Sequence, residues 1–224
     1  MRGIITGASR GLGLALTRAL SGRGWQLAVD ARGAAGLERA VVGLPGVVAV
    51  GGDVADPDHR RRLVDAVGEP IDLLVNNASL LGPSPLPSLA RYSVGELRSV
   101  YEANVFAPLA LVQLSLPHFA PGARIVNLVS DAAFEAYERW GGYGSSKAAL
   151  AHITAILGTE HPGLRVYAVD PGDMRTQMQQ DAFPGEDISD RPPPEESIPG
   201  LLTLIEGRLP SGLYRVNDLV ATSA

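Results

Sequence analysis

Seven apolar runs, near residues 2–6, 26–31, 47–52, 71–76, 123–129, 164–169 and 212–216, alternate with helical patterns near 11–22, 35–42, 57–67, 93–117, 141–160 and 195–206. A run that is apolar throughout, rather than at every second residue, belongs to a strand covered on both faces. Strands and helices in this alternation predict a doubly wound α/β fold: one seven-stranded, mostly parallel sheet with helices on both faces. With 224 residues, 46% of them hydrophobic, the chain has enough apolar surface for an ample core, and residues 1–224 are expected to form a single domain. A sheet of this kind places its ligand at the carboxyl ends of the strands, where the strand order reverses. Asp53-Val54, Asn76-Asn77-Ala78, Ser130 and Pro171-Gly172 all stand at such ends.

The first run, Gly3-Ile4-Ile5, leads directly into Thr6-Gly7-Ala8-Ser9-Arg10-Gly11-Leu12-Gly13 and then a helical pattern. Glycines allow a tight turn and a close approach of backbone to a pyrophosphate, and the exposed N–H groups of a helix start attract negative charge. In a chain with 26 glycines the triple alone carries little weight. Its position between first strand and first helix is what points to a dinucleotide.

Lys147 is the single lysine among 19 basic residues, and it follows Tyr143 by four positions. A chain that uses arginine everywhere else needs an ammonium here for its chemistry: a compact charge with three rotatable donors. On a helix the two side chains share a face. A nearby cation favours phenolate, so Tyr143 is expected to have its pKa lowered toward the working range and to act as a proton donor and acceptor. Taken singly, these residues have plain structural readings. Tyr143 and Lys147 also suit an ordinary helix pair, Ser130 a cap, Asp53 and Asn76-Asn77 turns, and Asn104 an inter-helix amide.

Together, in this order and at these spacings, the residues resemble the short-chain dehydrogenase/reductase family over essentially the whole chain. The glycine turn is similar to the family's Thr-Gly-x-x-x-Gly-x-Gly, and Asn76-Asn77-Ala78 to its Asn-Asn-Ala signature. The resemblance implies a Rossmann-type sheet and reversible hydride transfer between a nicotinamide cofactor and a carbonyl or alcohol. It also implies a catalytic set of Asn104, Ser130, Tyr143 and Lys147. Ser130 would hold the carbonyl oxygen, Tyr143 would protonate it, Lys147 would bind the nicotinamide ribose, and Asn104 would keep a kinked helix and a water in place. Cofactor contacts are expected from Thr6, Gly7, Ser9, Arg10, Gly11, Leu12, Gly13, Arg32, Asp53, Val54, Asn77, Ala78, Tyr143, Lys147, Pro171 and Gly172. The sequence departs from the pattern at Ser79, where the family usually has glycine. It departs again in the short proline-rich stretch from Gly172 to Pro199, and in the segment Ser211 to Ala224, which lacks a glycine-rich ending.

Cofactor choice turns on the end of the second run. Asp30 lies at the distance from the glycine turn where an acid ordinarily bonds the adenine ribose and selects NAD(H). Aligned on the family, however, the selecting position is Ala31, and the next residue is the basic Arg32. With Arg10 it offers two guanidinium forks for a phosphate, so NADP(H) is expected to be preferred, with NAD(H) possible and Asp30 facing the other side of the strand.

The absence of cysteine removes disulfides, thiol nucleophiles and cysteine metal sites, and His59, His118, His152 and His161 lack ligand spacing, so no metal is expected and surface or helix-end positions explain them. A net charge of −5 gives no electrostatic reason to bind nucleic acid, and no apolar run reaches the length of a membrane span. The protein is expected to be cytoplasmic. Arg191-Pro192-Pro193-Pro194 reads as a rigid connector. Met174, Met178 and Phe183 offer a lid, while Phe134, Tyr137 and Trp140 offer a facing wall, pointing to an apolar or aromatic carbonyl substrate. Surplus apolar surface around Val105-Phe106-Ala107-Pro108-Leu109-Ala110-Leu111 predicts a partner helix, and hence a homodimer or homotetramer. Two functions remain open: an NADP(H)-dependent oxidoreductase, or a dinucleotide-binding sensor or scaffold without turnover.

Overall fold

A computed structural model describes residues 1–221. Seven strands, β1 (Arg2–Ile5), β2 (Gln26–Ala31), β3 (Val47–Gly51), β4 (Ile71–Asn76), β5 (Phe119–Leu128), β6 (Arg165–Asp170) and β7 (Gly212–Arg215), form one sheet in the order β3-β2-β1-β4-β5-β6-β7. Every neighbouring pair is parallel. The order reverses between β1 and β4, so the crevice expected of such a sheet opens beyond Ile5 and Asn76.

Successive residues of a strand point to opposite faces, and the packing follows that alternation. Ile5, Leu73 and Val75 join a core with α1 (Gly11–Ser21), α2 (Ala34–Val41), α8 (Ile198–Glu206) and α9 (Val216–Ala221). Their neighbours Ile4 and Leu74 join a second core with α3 (Pro57–Val67), α5 (Ala107–Ser115) and α6 (Gly141–Glu160). Burial on both faces explains why the inner strands read as apolar runs, while β3 and β7, at the sheet edges, are partly exposed. Asn76, Asn127 and Thr154 interrupt the second core with a polar seam: the Asn76 amide donates to Asn127 Oδ1 at 2.7 Å, and Asn127 Nδ2 donates to Thr154 Oγ1 at 2.8 Å.

The helix expected over 93–117 is broken. α4 (Val94–Tyr101) gives way to a π-helical turn, Glu102–Phe106, before α5 begins. Pro108 has no N–H to give the carbonyl of Asn104, so the α-helical ladder cannot run through this point. Two helices lay outside the expected pattern, α7 (Gln177–Ala182) and α9, and β5 starts four residues early, where Phe119 pairs with Ile71 through an irregular register. The proline-rich stretch leads into a 3-10 turn at Pro194–Ser197 and then α8, as a connector. Of the segment from Ser211 to Ala224, residues 222–224 lie outside the described part.

Leu74, fully buried on the central strand, has no room for its loss to be compensated. Leu74→Ala is expected to cost about 2–5 kcal/mol, measured as a lower urea midpoint with an unchanged slope.

Candidate active site

The glycine turn is held by its neighbours in the sheet. Thr6 Oγ1 accepts from the backbone N–H groups of Asn77 (3.0 Å) and Ala78 (2.9 Å), and Asn77 Nδ2 donates to the carbonyls of Thr6 (2.8 Å) and Gly7 (3.1 Å). Two glycines are sterically required. Gly7 has φ +71°, and a Cβ on Gly13 would lie 2.4 Å from the Gly7 carbonyl oxygen. Thr6 and Gly13, expected to touch cofactor, are not among the residues lining the adjoining cavity, and both shape the turn.

From the other side comes Asp30. Strand alternation sends its carboxylate to the α3 face of β2, where Oδ1 accepts from Gly7 N–H at 2.7 Å and Oδ2 meets His59 Nε2 at 3.0 Å. Asp30 and His59 are both buried, so His59, at the start of α3, takes the helix-end rather than the surface position of the two the sequence indicated. Burial holds the Asp30 carboxyl above the ordinary carboxylate range, against the pull of His59 and the Gly7 N–H. Sequence reading misses this pair because its members lie on separate elements, 29 residues apart.

A cavity of about 1370 Å³ runs from this turn across the crevice. One end is lined by Ser9, Arg10, Gly11, Leu12, Arg32, Asp53 and Val54. The other is lined by Ser130, Tyr143, Lys147, Pro171 and Gly172, with Gly7, Asn77, Ala78 and Ser79 along the wall. The N-terminus of α1 faces this space with neither a side-chain cap at Arg10 nor an acid in its first turn, leaving its N–H groups and dipole for an anion. Arg10 and Arg32 are exposed, and among the described residues neither has an ion-pair partner. An uncapped helix start, a turn that excludes side chains and two unpaired guanidiniums fit a phosphorylated dinucleotide.

At the far end, α6 places Tyr143 and Lys147 one turn apart and buried, with Lys147 Nζ 5.5 Å from the centre of the tyrosine ring. The ammonium donates to the Leu128 carbonyl at 2.7 Å rather than to the phenol. Burial pushes Lys147 down to about 7. The same burial pushes the Tyr143 phenol up, opposed by the nearby Ser79 hydroxyl and helped by the charges of Asp170 and Asp131. The expected lowering of Tyr143 by Lys147 is therefore absent here: a half-discharged ammonium pointed at another acceptor does not offset desolvation.

Ser130 serves as a cap as well as a wall residue. Its hydroxyl accepts from Ala132 N–H at 3.2 Å and donates to Asp131 Oδ1 at 2.8 Å. Asn104, in the π turn, does not line the cavity. Its Nδ2 donates to the Leu80 carbonyl (2.9 Å) and Ser146 Oγ (2.9 Å), and its Oδ1 accepts from Leu80 N–H (2.7 Å) and Ser79 Oγ (3.1 Å). All four bonding positions of the amide are taken, so its side chain has none left for water. Ser79, the departure from the glycine pattern, has an ordinary backbone: among the described residues only Arg139 combines a side chain with positive φ.

Trp140 packs edge-on to Tyr143 at 5.8 Å and against Phe183 at 5.9 Å, and Leu81, Met178 and Ala182 complete an apolar wall. Phe134 and Tyr137, expected on this wall, are half exposed, and of the two only Tyr137 reaches the cavity.

The family model described as short chain dehydrogenase matches residues 3–187. The chain belongs to the short-chain dehydrogenase family. Among curated relatives of this short-chain dehydrogenase, the benzil reductase ((S)-benzoin forming) of Saccharomyces cerevisiae is 33% identical over 192 residues, 80% of this chain and 73% of its own. The L-xylulose reductase of Bos taurus is 32% identical over 191 residues, 81% of this chain and 75% of its own. The match to an uncharacterized S. cerevisiae oxidoreductase spans only 51% of that protein. A Burkholderia cenocepacia short chain dehydrogenase solved in complex with NADP has a TM-score of 0.84 at 27% identity, covering 95% of this chain and 94% of its own. The protein is thus an oxidoreductase of a family that acts on CH–OH and C=O groups with nicotinamide cofactors.

Lys147 gives the site a pH signature without cofactor. Between about 7, folded, and 10.5, its ordinary value, the unfolded chain holds a proton that the folded protein does not. The stability this group contributes is present above 10.5 and lost as pH falls through 7. Urea midpoints of wild type and Lys147→Met should therefore diverge, wild type gaining on the variant from pH 7 toward 10; parallel profiles would show an exposed, ordinary lysine.

Proposed function

We propose that the protein is an NADP(H)-dependent oxidoreductase that interconverts a small-molecule carbonyl and its alcohol, with Tyr143 as the acid/base. The observation that carries this reading is a single cavity with the phosphate-ready turn at one end and Ser130, Tyr143 and Lys147 at the other. Bound there, NADP(H) would supply or accept the hydride. Gly11, Leu12, Ser9 and Arg10 would hold its phosphates, Asp53, Val54 and Ala78 its adenine half, and Lys147, Pro171 and Gly172 its nicotinamide half.

The protein's own work is orientation and proton transfer. Ser130 turns its hydroxyl from Asp131 to the carbonyl oxygen, and Tyr143 gives that oxygen a proton in reduction or removes one in oxidation. Lys147, held between charged and neutral forms near pH 7, becomes fully cationic beside bound ribose and then favours phenolate. Asn104 keeps the π turn closed, and its carbonyl, which Pro108 cannot serve, is the acceptor available to a water. A pocket that only sensed the dinucleotide would have no use for the buried Tyr143 and Lys147 pair.

NADP(H) is the preferred cofactor in this reading because both Asp30 oxygens are engaged by Gly7 and His59 while Arg10 and Arg32 are free on the wall. The wall of Trp140, Phe183, Leu81 and Met178 fits an apolar or aromatic carbonyl under α7, and the benzil reductase relative makes benzil the first probe. Exposed Phe106 and Ile156, on the π turn and α6, support a homodimer or homotetramer. A cytoplasmic, single-domain enzyme is consistent with the cysteine-free composition and with the lack, among the described residues, of a helix long and apolar enough to cross a membrane.

Fluorescence titration should show NADPH binding that Arg32→Ala weakens about 10-fold or more with NADH unaffected, as loss of a charge-assisted phosphate contact requires. NADH preference indifferent to the substitution would assign the ribose to another residue. NADPH oxidation in the presence of benzil should fall by about three orders of magnitude or more in Tyr143→Phe; a variant as active as wild type would remove Tyr143 from the chemistry.

A further inference from the structure

Asp30 and His59 form a buried pair that the proposed chemistry does not use. Its place in the fold is where cofactor choice is made. Asp30 stands at the end of β2, from which an acid ordinarily bonds the adenine ribose and disfavours a 2′-phosphate. It belongs to the cavity lining, as does Arg32 two residues further on. Its carboxylate is nevertheless committed elsewhere, Oδ1 to the Gly7 N–H at 2.7 Å and Oδ2 to His59 Nε2 at 3.0 Å.

The imidazole is closely held. A Cβ added to Gly52 would lie 2.2 Å from His59 Nδ1, so the backbone that follows β3 is packed against that edge of the ring. Nδ1 is buried and has no hydrogen-bond partner among the described residues. A proton there would be a donor with nothing to meet, whereas Nε2 faces a carboxylate, which can only accept. Nε2 therefore carries the proton and donates it to Asp30.

Without that donor, Asp30 Oδ2 would be buried and unpaired, a costly state for a charged oxygen. The single N–H of Gly7 serves only Oδ1. The carboxylate would then turn to donors at the cavity, among them the Arg32 guanidinium, which has no ion-pair partner among the described residues, and the hydroxyls of a bound ribose. Either contact works against a 2′-phosphate. An Asp30–Arg32 pair would occupy one of the two guanidiniums that the phosphate needs, and a carboxylate on the ribose would set like charge beside it.

We propose that His59 is a positioning residue for cofactor choice: by holding Asp30 on the glycine turn, it keeps Arg32 unpaired and the ribose end of the cavity open to a 2′-phosphate. The proposal rests on the reading above that Arg10 and Arg32 receive that phosphate. It places a determinant of NADP(H) over NAD(H) on α3, at a residue that does not itself line the cavity.

The test is the ratio of NADH to NADPH dissociation constants, measured by fluorescence titration of the whole chain without substrate. Wild type should favour NADPH. His59→Leu should lower the ratio by about 10-fold or more, with weaker NADPH binding and unchanged or stronger NADH binding. His59→Gln, whose side-chain amide can offer an N–H to the same oxygen, should keep the wild-type ratio. Asp30→Asn added to His59→Leu should restore it, because the released side chain then carries no charge. A two-bond nitrogen–proton NMR spectrum of the free protein checks the contact independently of any folding effect of leucine. The His59 signals, assigned by their loss in His59→Gln, should show the proton on Nε2. A ratio unchanged in His59→Leu, both cofactors weakened alike, or a proton on Nδ1 overturns the proposal and leaves the cofactor reading standing. Wild type that prefers NADH overturns the cofactor reading, and the proposal with it.

Discussion

A single buried amide, Asn104, sets the geometry at the chemical end of the cavity. It sits where the helix between β4 and β5 cannot stay α-helical, and its four hydrogen bonds reach the loop after β4 and the body of α6. Those are the segments that carry Ser79 and Tyr143. Removing such a fully engaged group leaves several buried partners unpaired at once, so its cost exceeds that of one bond. The distortion of the helix and the placement of the tyrosine are thus one arrangement, not two.

The opposite end is built on the same plan. The glycine turn has little side-chain substance of its own, and it is held from β4 by Asn77 and from β2 by Asp30, with Thr6 clasping both backbone amides that follow β4. Polar side chains that would ordinarily be assigned to ligand are used to fix backbone. What is left facing the cavity is the uncapped start of α1, two guanidiniums and a lysine near its titration point. The site therefore presents preorganised donors and unspent positive charge to an anionic cofactor.

Much of this was legible in the sequence, and the parts that were not share a cause. Strands buried on both faces leave unbroken apolar runs, and the 141–160 helix agrees with the sequence pattern to the residue. That the glycine turn, Ser130, Tyr143 and Lys147 meet at one cavity was legible because the chemistry proposed for them needs specific residue types at specific spacings. The break in the long helix, expected as a kink at Asn104, is marked in the sequence by Pro108, four residues further on. α7, six residues rich in Gln, has no apolar period to detect. The hydrogen bonds made by Thr6, Asn77 and Asn104, and the full burial of His59 in the first turn of α3, were not legible, because a hydrogen bond between distant elements leaves no trace in local pattern. The lowering of the Tyr143 pKa failed for a related reason: spacing shows that Lys147 is near, whereas burial and a competing carbonyl decide what its charge does.

The central claim is that one cavity takes a 2′-phosphorylated dinucleotide with its phosphate end at Arg10 and Arg32 and its reactive end at Tyr143 and Lys147. A crystal structure of the NADPH complex tests it most directly. The account predicts the 2′-phosphate between the Arg10 and Arg32 guanidiniums, the pyrophosphate on the N–H groups that open α1, and Asp30 still bonded to Gly7 and His59. A dinucleotide lying in the reverse direction, or an Asp30 released from Gly7 to bond the ribose, would contradict it.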